Sequence, residues 1–504
     1  MYIEPNSNIK IYHNVPLDNT YNHTLYFGNL AEQNAYFHAN QQILKYNLTA
    51  QSYQRVVKGS MRVAVKSDNL YDCNYLAFQN ASFGIKWFYA FITGVEYINN
   101  ETSEITFEID VMQTYFFDIT LKRCYVEREH SVTDGVGDNI LAENVDIGDI
   151  TCNAISSSGH FSSYVAVIAT AYDSDGKTGG YQGGLFSGVN YIAGKIDDEN
   201  QVNTLLDLLS ATVDANQQDS IVSIFVMPFD FYTTGSMPSV QVARVAKNST
   251  LHGYTPRNKK LLTFPYNYLS VDCGNNDAIY RYEWFQDNQY CDFSMTGTVS
   301  CNPQIMLEPK NYNGTGLTFN HVERLVMTDF PQVAWSIDSF RAWLAQEASS
   351  TVLQGIASGA SIAMGAMSGN PSAIIGGAMG LANTANNVIL ATNRPPQAKG
   401  TNSGTIDVAT RTKDFYFRQM QVSAEYAKVI DDYFDMYGYA TRRVKIPNRS
   451  SRPHWNYVKT NGCVLSGNAP ADDVRKICGI YDNGITFWKS ASDVGNYLLD
   501  NSPS

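Results

Sequence analysis

The segment Ala171-Tyr172-Asp173-Ser174-Asp175-Gly176-Lys177-Thr178 has the lysine and threonine of a relaxed phosphate-binding loop, and it follows a strand-like run. Phosphate chemistry there needs backbone amides and a helix N-terminus aimed at the anion. Asp173 and Asp175 repel phosphate instead, and Gly179-Gly180-Tyr181-Gln182-Gly183-Gly184 does not open a helix. The same aspartates begin a calcium-loop pattern, but its twelfth position is Gly184, where a bidentate Glu is required. The segment reads as a glycine-rich inter-strand loop. Glu127-Arg128-Glu129-His130 is charged and local, and reads as a surface ion-pair cluster. There is no HExxH, no GxSxG and no CxxC; the eight histidines are dispersed. The eight cysteines (Cys73, Cys124, Cys152, Cys273, Cys291, Cys301, Cys463, Cys478) read as scattered free thiols. No pair of carboxylates is singled out for glycoside cleavage. The expectation is no catalytic residue, no metal and no cofactor.

The strongest signal is physical rather than catalytic. From Ala348 to Asn393 there is no charged residue, 46 positions in a row. Gly369-Asn370-Pro371 splits the stretch into two arms of about twenty residues, each long enough as a helix to span a bilayer's hydrocarbon. Leu353, Ile356, Ile362, Met364 and Met367 on the first arm are the lipid-facing candidates. Ile374, Ile375, Met379, Leu381, Val388, Ile389 and Leu390 are those on the second. Gly355 with Gly359, and Gly376 with Gly380, have the GxxxG spacing that lets helices approach closely in lipid. Gln354, Ser358 and Ser361 share one helical face; Asn383, Asn386 and Asn387 share another, so both stripes are pore-lining candidates. A buried hairpin or a flexible Gly/Ala/Ser loop is the alternative. A constitutive anchor is disfavoured, because the arms are only moderately apolar. A segment hidden in the stored state and exposed on contact with lipid fits better, since a bare one is an aggregation liability.

What must carry these arms is a β scaffold. Ile105, Phe107, Ile109 and Val111 alternate with Thr106, Glu108 and Asp110. Trp87–Ile98 precedes them across the turn Asn99-Asn100-Glu101-Thr102, which predicts a hairpin. Arg62–Lys66, Tyr164–Ala169, Ile221–Met227 (stopped by Pro228) and Phe415–Val422 read as strands, and 230–335 as strand and turn. Val202–Leu209 has helical spacing. Ser423 is placed to cap a helix with an apolar side of Ala427, Ile430, Phe434 and Tyr437, closed by Gly438. The last sixty residues read as β and loop.

The composition agrees. The 504 residues suffice for about three domains or one elaborated one. At 44% hydrophobic the chain buries a sizeable core, and 12% aromatic content favours strands and interfaces. A net charge of −12 argues against gripping nucleic acid over the whole surface, though not against nucleic acid sliding past. Met1–Pro5 shows no basic or apolar export signal, so the sequons at Asn22, Asn47 and Asn248 read as polar loops.

Several long stretches resemble the tail-knob (distal tail tube) proteins of small short-tailed phages of Gram-positive bacteria, the picovirus group. They are Val126–His130 with Glu143–Gly148, Ile221–Pro228, Asn258–Leu269, and Phe330–Trp335 with Asp338 and Trp343. The C-terminal series is Ile430–Phe434, Tyr437-Gly438-Tyr439, Trp455–Thr460 and Gly484–Trp488. The chain is compact for that family. The resemblance implies a mainly β fold: antiparallel barrel-like domains in a ring-shaped tube, with a long apolar helical-hairpin or loop insertion. It implies an N-terminal tube domain (1–125), a middle knob region (126–345), the membrane-active loop (346–400) and a C-terminal segment completing the tube (401–504). It further implies a non-enzymatic virion protein at the tail tip, homohexameric and joined to the proximal tail tube or lower collar protein. Its loops would plug the lumen, then penetrate the host cytoplasmic membrane, and genomic double-stranded DNA would pass through without specific binding. A receptor-binding or wall-degrading tail component, and a soluble pore-forming toxin, are the competing readings.

Overall fold

The structure, a computed structural model, describes residues 6–51, 59–80, 84, 86–171, 181–182, 185–186, 189–233, 238–274, 276–313, 324–333 and 413–503. The chain divides into two compact units. The first comprises 1–148, 253–261 and 424–504; the second comprises 149–252 and 262–423. Both are mainly antiparallel β.

The first unit contains a six-stranded antiparallel sheet with apolar packing on both faces. Its order is Leu44–Gln51, Ser7–His13, Cys73–Asn80, Phe88–Asn99, Thr102–Ile109, Ser60–Val63. Period-two alternation separates the faces: Ile9, Ile11, Leu76 and Ile105 enter one cluster, and Tyr12, Tyr75, Tyr89 and Phe91 the other. The expected hairpin is present, with Asn99 paired to Thr102. The strand after it stops at Ile109, two residues early. Asp110 then accepts from Gln113 N (3.1 Å) and caps the short helix Val111–Tyr115.

The aromatic cluster is closed by a five-stranded sheet. Its order is Thr24–Leu25, Ile485–Trp488, Trp455–Asn461, Cys124–Glu129, Tyr439–Lys445. Trp455 and Trp488 pair across it, with ring centroids 5.2 Å apart. The helix Ala471–Asn483 packs Ile477, Ile480 and Tyr481 into the same core. Sequence reading had only strand and loop there. The spacing Val474, Ile477, Ile480, Tyr481 carried a helical signal that its acidic first turn and short length obscured.

In the second unit three four-stranded antiparallel sheets share one core. Strand Tyr164–Thr170 is buried at all seven positions, between Ile221–Pro228 and Asn190–Lys195. This is why it reads as an unbroken apolar run. The helix Glu199–Asp214, capped by Asp198, lays Val202, Leu205, Leu206 and Leu209 on this sheet. A second sheet joins Ser239–Ala246, Tyr290–Thr298, Gln304–Pro309 and Leu325–Met327. The third joins Ile150–Ser157, Tyr416–Val422, Asn267–Asp272 and Asp277–Tyr280.

The helix Ala424–Tyr437 ends as expected at Gly438, whose φ is +63° and whose N–H donates to Phe434 O (2.8 Å). A Cβ there would lie 2.4 Å from Glu129 O. Gly438→Ala therefore combines left-handed strain with a backbone clash. It is expected to cost about 2–4 kcal/mol, read as a lowered melting transition.

Candidate functional site at the neck of the charge-free segment

Strand Gln332–Val333 leads into residues 334–412, which lie outside the described residues; strand Tyr416–Val422 follows them. The lipid-facing candidates from Leu353 to Leu390 fall there. So do Gly355, Gly359, Gly376 and Gly380 and the polar stripes Gln354, Ser358, Ser361, Asn383, Asn386 and Asn387. Among the described residues no helix is long and apolar enough to cross a membrane. Residues 172–180, with most of the phosphate-loop-like segment, are also outside them.

The described residues on either side of 334–412 meet. Lys413 is 4% exposed; its ammonium donates to Asp329 O (3.3 Å) and sits 4.9 Å over the Phe330 ring. Tyr164 Oη donates to Lys413 O (3.3 Å). The neighbouring Asp414 carboxylate accepts from Ser158 N (3.1 Å), Gly159 N (3.3 Å), Phe415 N (2.7 Å) and the Ser158 hydroxyl. On the departing side Val226 N donates to Pro331 O (3.0 Å), and Phe225 pairs with Gln332. Phe330 and Phe415 join the core of the second unit. One buried cation thus ties the returning chain to the outgoing one, and one capping carboxylate fixes the returning chain to residues 158–159. Sequence reading did not find this neck. Lys413 and Asp414 are ordinary residues in type, and their 84-residue separation from Asp329 hides their partnership.

The C-terminal motifs converge elsewhere, inside the first unit. The helix Ala424–Tyr437 buries Asp431 and Asp435 beside its apolar residues, while the expected core residue Tyr437 is 37% exposed. Asp431 accepts from Tyr254 Oη (2.7 Å), Arg257 N (2.8 Å), Asn258 N (2.9 Å) and Asn258 Nδ2 (2.8 Å). Asp435 faces Arg257 Nη1 at 3.0 Å. Its backbone oxygen accepts from His130 Nε2 (2.9 Å) and Trp455 Nε1 (2.7 Å). Glu143 binds Lys260 Nζ (2.7 Å), Arg128 and Ala440 N (2.8 Å). Glu129 pairs with Lys445 and accepts from Asn448 N (3.1 Å).

The reading of Glu127–His130 as a surface cluster is therefore corrected. Glu129 and His130 are 5% and 1% exposed and belong with Arg128 to a buried network, while Glu127 keeps a partly exposed ion pair with Lys459 (3.0 Å). Residues 126–143, 254–260, 424–445 and 448–457 are knitted by it. Its charges are used in pairing, which fixes chain segments in place.

Burial sets the titration here. It pushes the Asp435 carboxyl up to about 7 against the pull of Arg257. It lowers the His130 imidazole to about 3, helped by Arg452, so Nε2 carries the proton given to Asp435 O and Nδ1 accepts from Tyr457 N (2.8 Å). Burial also lowers Lys260, while Glu143 opposes it.

Comparison with known proteins makes this a structural component of a phage tail. Residues 235–502 match the family of the Bacillus phage phi29 tail knob protein gp9, C-terminal domain, and residues 5–120 match the caudoviral major tail protein N-terminus. The chain belongs to the tail knob gp9 family. It is 25% identical to tail knob protein gp9 of Bacillus phage PZA, over 593 residues covering 98% of each chain. With the phi29 protein of the same name it is 24% identical over 595, again with 98% coverage of both. Those alignments exceed this chain's 504 residues, so the relatives carry residues it lacks. Among solved structures, the tail knob protein gp12 of bacteriophage C1 shares the fold, with a TM-score of 0.62 at 16% identity. That match covers 98% of this chain and 99% of the other.

Two outcomes follow from this geometry. Asp414→Ala leaves the amides of Ser158 and Gly159 without their acceptor. It is expected to lower stability by about 2–4 kcal/mol in denaturant titration, with Asp414→Asn intermediate. The second concerns pH. Asp435 holds its proton more tightly folded than unfolded, where its value is near 3.8. Its contribution to stability therefore rises as pH falls from about 7 toward 4. His130 has the opposite sign, losing stability as pH falls from 6.5 toward 3. Asp435→Asn removes only the first slope. The wild type should gain on this variant, on the order of 3 kcal/mol, as melts are taken from about pH 8 to pH 5.

Proposed function

We propose that this chain builds, as a homohexamer, the distal tail tube and genome conduit at the tail tip, without enzymatic chemistry of its own. Residues 348–393 fill the lumen before infection, then leave it and enter the host cytoplasmic membrane. The observation that carries this reading is a 46-residue uncharged stretch within 334–412, a segment entered and left through residues buried in a β scaffold.

Six copies bring twelve arms together. Gln354, Ser358, Ser361, Asn383, Asn386 and Asn387 then face the aqueous path, and the leucines, isoleucines and methionines face lipid. The charge of −12 per chain gives a tube wall little affinity for phosphates, so double-stranded DNA passes without being held. The partners are the other copies, the proximal tail tube or lower collar protein, and membrane lipid.

Dye-filled anionic liposomes test the membrane step. The full-length protein is expected to release dye. Ile374→Lys with Ile375→Lys, which places two charges in the second arm, should abolish release and leave the assembly unchanged. Absence of leakage by the wild type across pH and lipid composition contradicts the pore role.

A further inference from the structure

Three of the eight cysteines, far apart in sequence, meet in the first unit. Strand pairing sets Asn461 opposite Tyr125 and Leu465 opposite Leu121, so residues 462–464 run beside 122–124. Lys122 N donates to Val464 O (2.9 Å). Cys463 N donates to Asp482 Oδ1 (3.0 Å), which also accepts from the Thr460 hydroxyl (2.7 Å). Cys478 lies four residues before Asp482 in the helix Ala471–Asn483 and so shares its face. The Cys463 thiol therefore lies near those of Cys124 and Cys478, close enough for each to act on it electrostatically. All three are free thiols; Cys124 is buried, whereas Cys463 and Cys478 are partly exposed.

We propose that Cys463 and Cys478 are an oxidisable pair, which a small-molecule disulfide converts into a staple between the 461–465 turn and the helix Ala471–Asn483. The reading as a virion protein supplies only the setting, a protein that leaves a reducing cell; the chemistry stands on the thiols themselves. One cysteine loses its proton, and its thiolate attacks a sulfur of the reagent disulfide, expelling one reagent thiolate. The second cysteine, deprotonated in turn, attacks the mixed disulfide and expels the other. One protein S–S bond forms and one reagent S–S bond breaks. The two cysteine sulfurs are oxidised, two electrons reduce the reagent, and the two released protons end on two reagent thiols.

Exposure selects the pair, because the reagent reaches Cys463 and Cys478 before the buried Cys124. Burial raises all three thiols, and neighbouring thiols raise Cys463 further, so little thiolate exists at neutral pH. The cross-link forms slowly there and faster in alkaline buffer.

The test uses the full-length native protein with oxidised glutathione at alkaline pH, then acid quenching, alkylation and peptide mapping. The expected product joins the peptides holding Cys463 and Cys478, lighter than their sum by two hydrogens and reversed by dithiothreitol. The melting temperature should rise by about 2–5 °C, and Cys478→Ser should lose both effects. Full alkylation of both cysteines overturns the proposal. So does a bond from Cys463 to Cys124, or cross-linking only between chains through the exposed Cys152. The peptide map of the unaltered protein decides the matter even if the variant fails to fold.

Discussion

A buried ammonium ties the chain before residue 334 to the chain after residue 412. Lys413 donates to a backbone carbonyl from the outgoing chain and lies over the ring of Phe330, while Asp414 gathers the amides of Ser158 and Gly159. Taking a lysine out of water costs several kcal/mol unless its protons are used. Here the Asp329 carbonyl and the face of the Phe330 ring offset part of that cost. Residues 348–393 have no charge for ion pairs, and glycine weakens any helix they form. Such a stretch gains little from its own contacts.

The first unit solves a related problem by different means. It is assembled from three separate pieces of chain, which cross to the second unit and back. Helix Ala424–Tyr437 spends two positions of its inner face on Asp431 and Asp435 instead of apolar residues. These carboxylates reach Tyr254, Arg257 and Asn258 on the short piece 253–261. Directional hydrogen bonds fix register where apolar contact alone would let the pieces slide. Residues near 128, 143, 258, 431 and 439, scattered through the sequence, thereby form one electrostatic object.

Much of the scaffold was legible because its signals are local. The 87–109 hairpin has a turn and a clean period of two. Tyr164–Ala169 and Ile221–Met227 are apolar runs of strand length, and Gly438 closes a helix with apolar spacing. What was not legible depends on distant partners. Nothing near Glu129 and His130 tells that Lys445, Asp435 and Tyr457 will cover them. Asp431 and Asp435 look like the wet side of a helix until the 253–261 piece is laid against it. Asp110 looks like one more polar strand position, yet it caps a helix. The neck was missed for the same reason, since its members come from 158–164, 329–332 and 413–415. The uncharged stretch itself was plain in the sequence, because an absence of charge needs no partner to be seen.

The central claim is that residues 348–393 move into lipid while their neck stays with the β scaffold. Photolabelling with a carbene probe confined to the hydrocarbon of liposomes tests this directly on the full-length protein. Label should appear on peptides within 348–393 and be absent from those holding Asp329, Lys413 and Asp414. Label spread over the scaffold strands, or none on 348–393 while the protein is bound to the vesicles, would contradict the account.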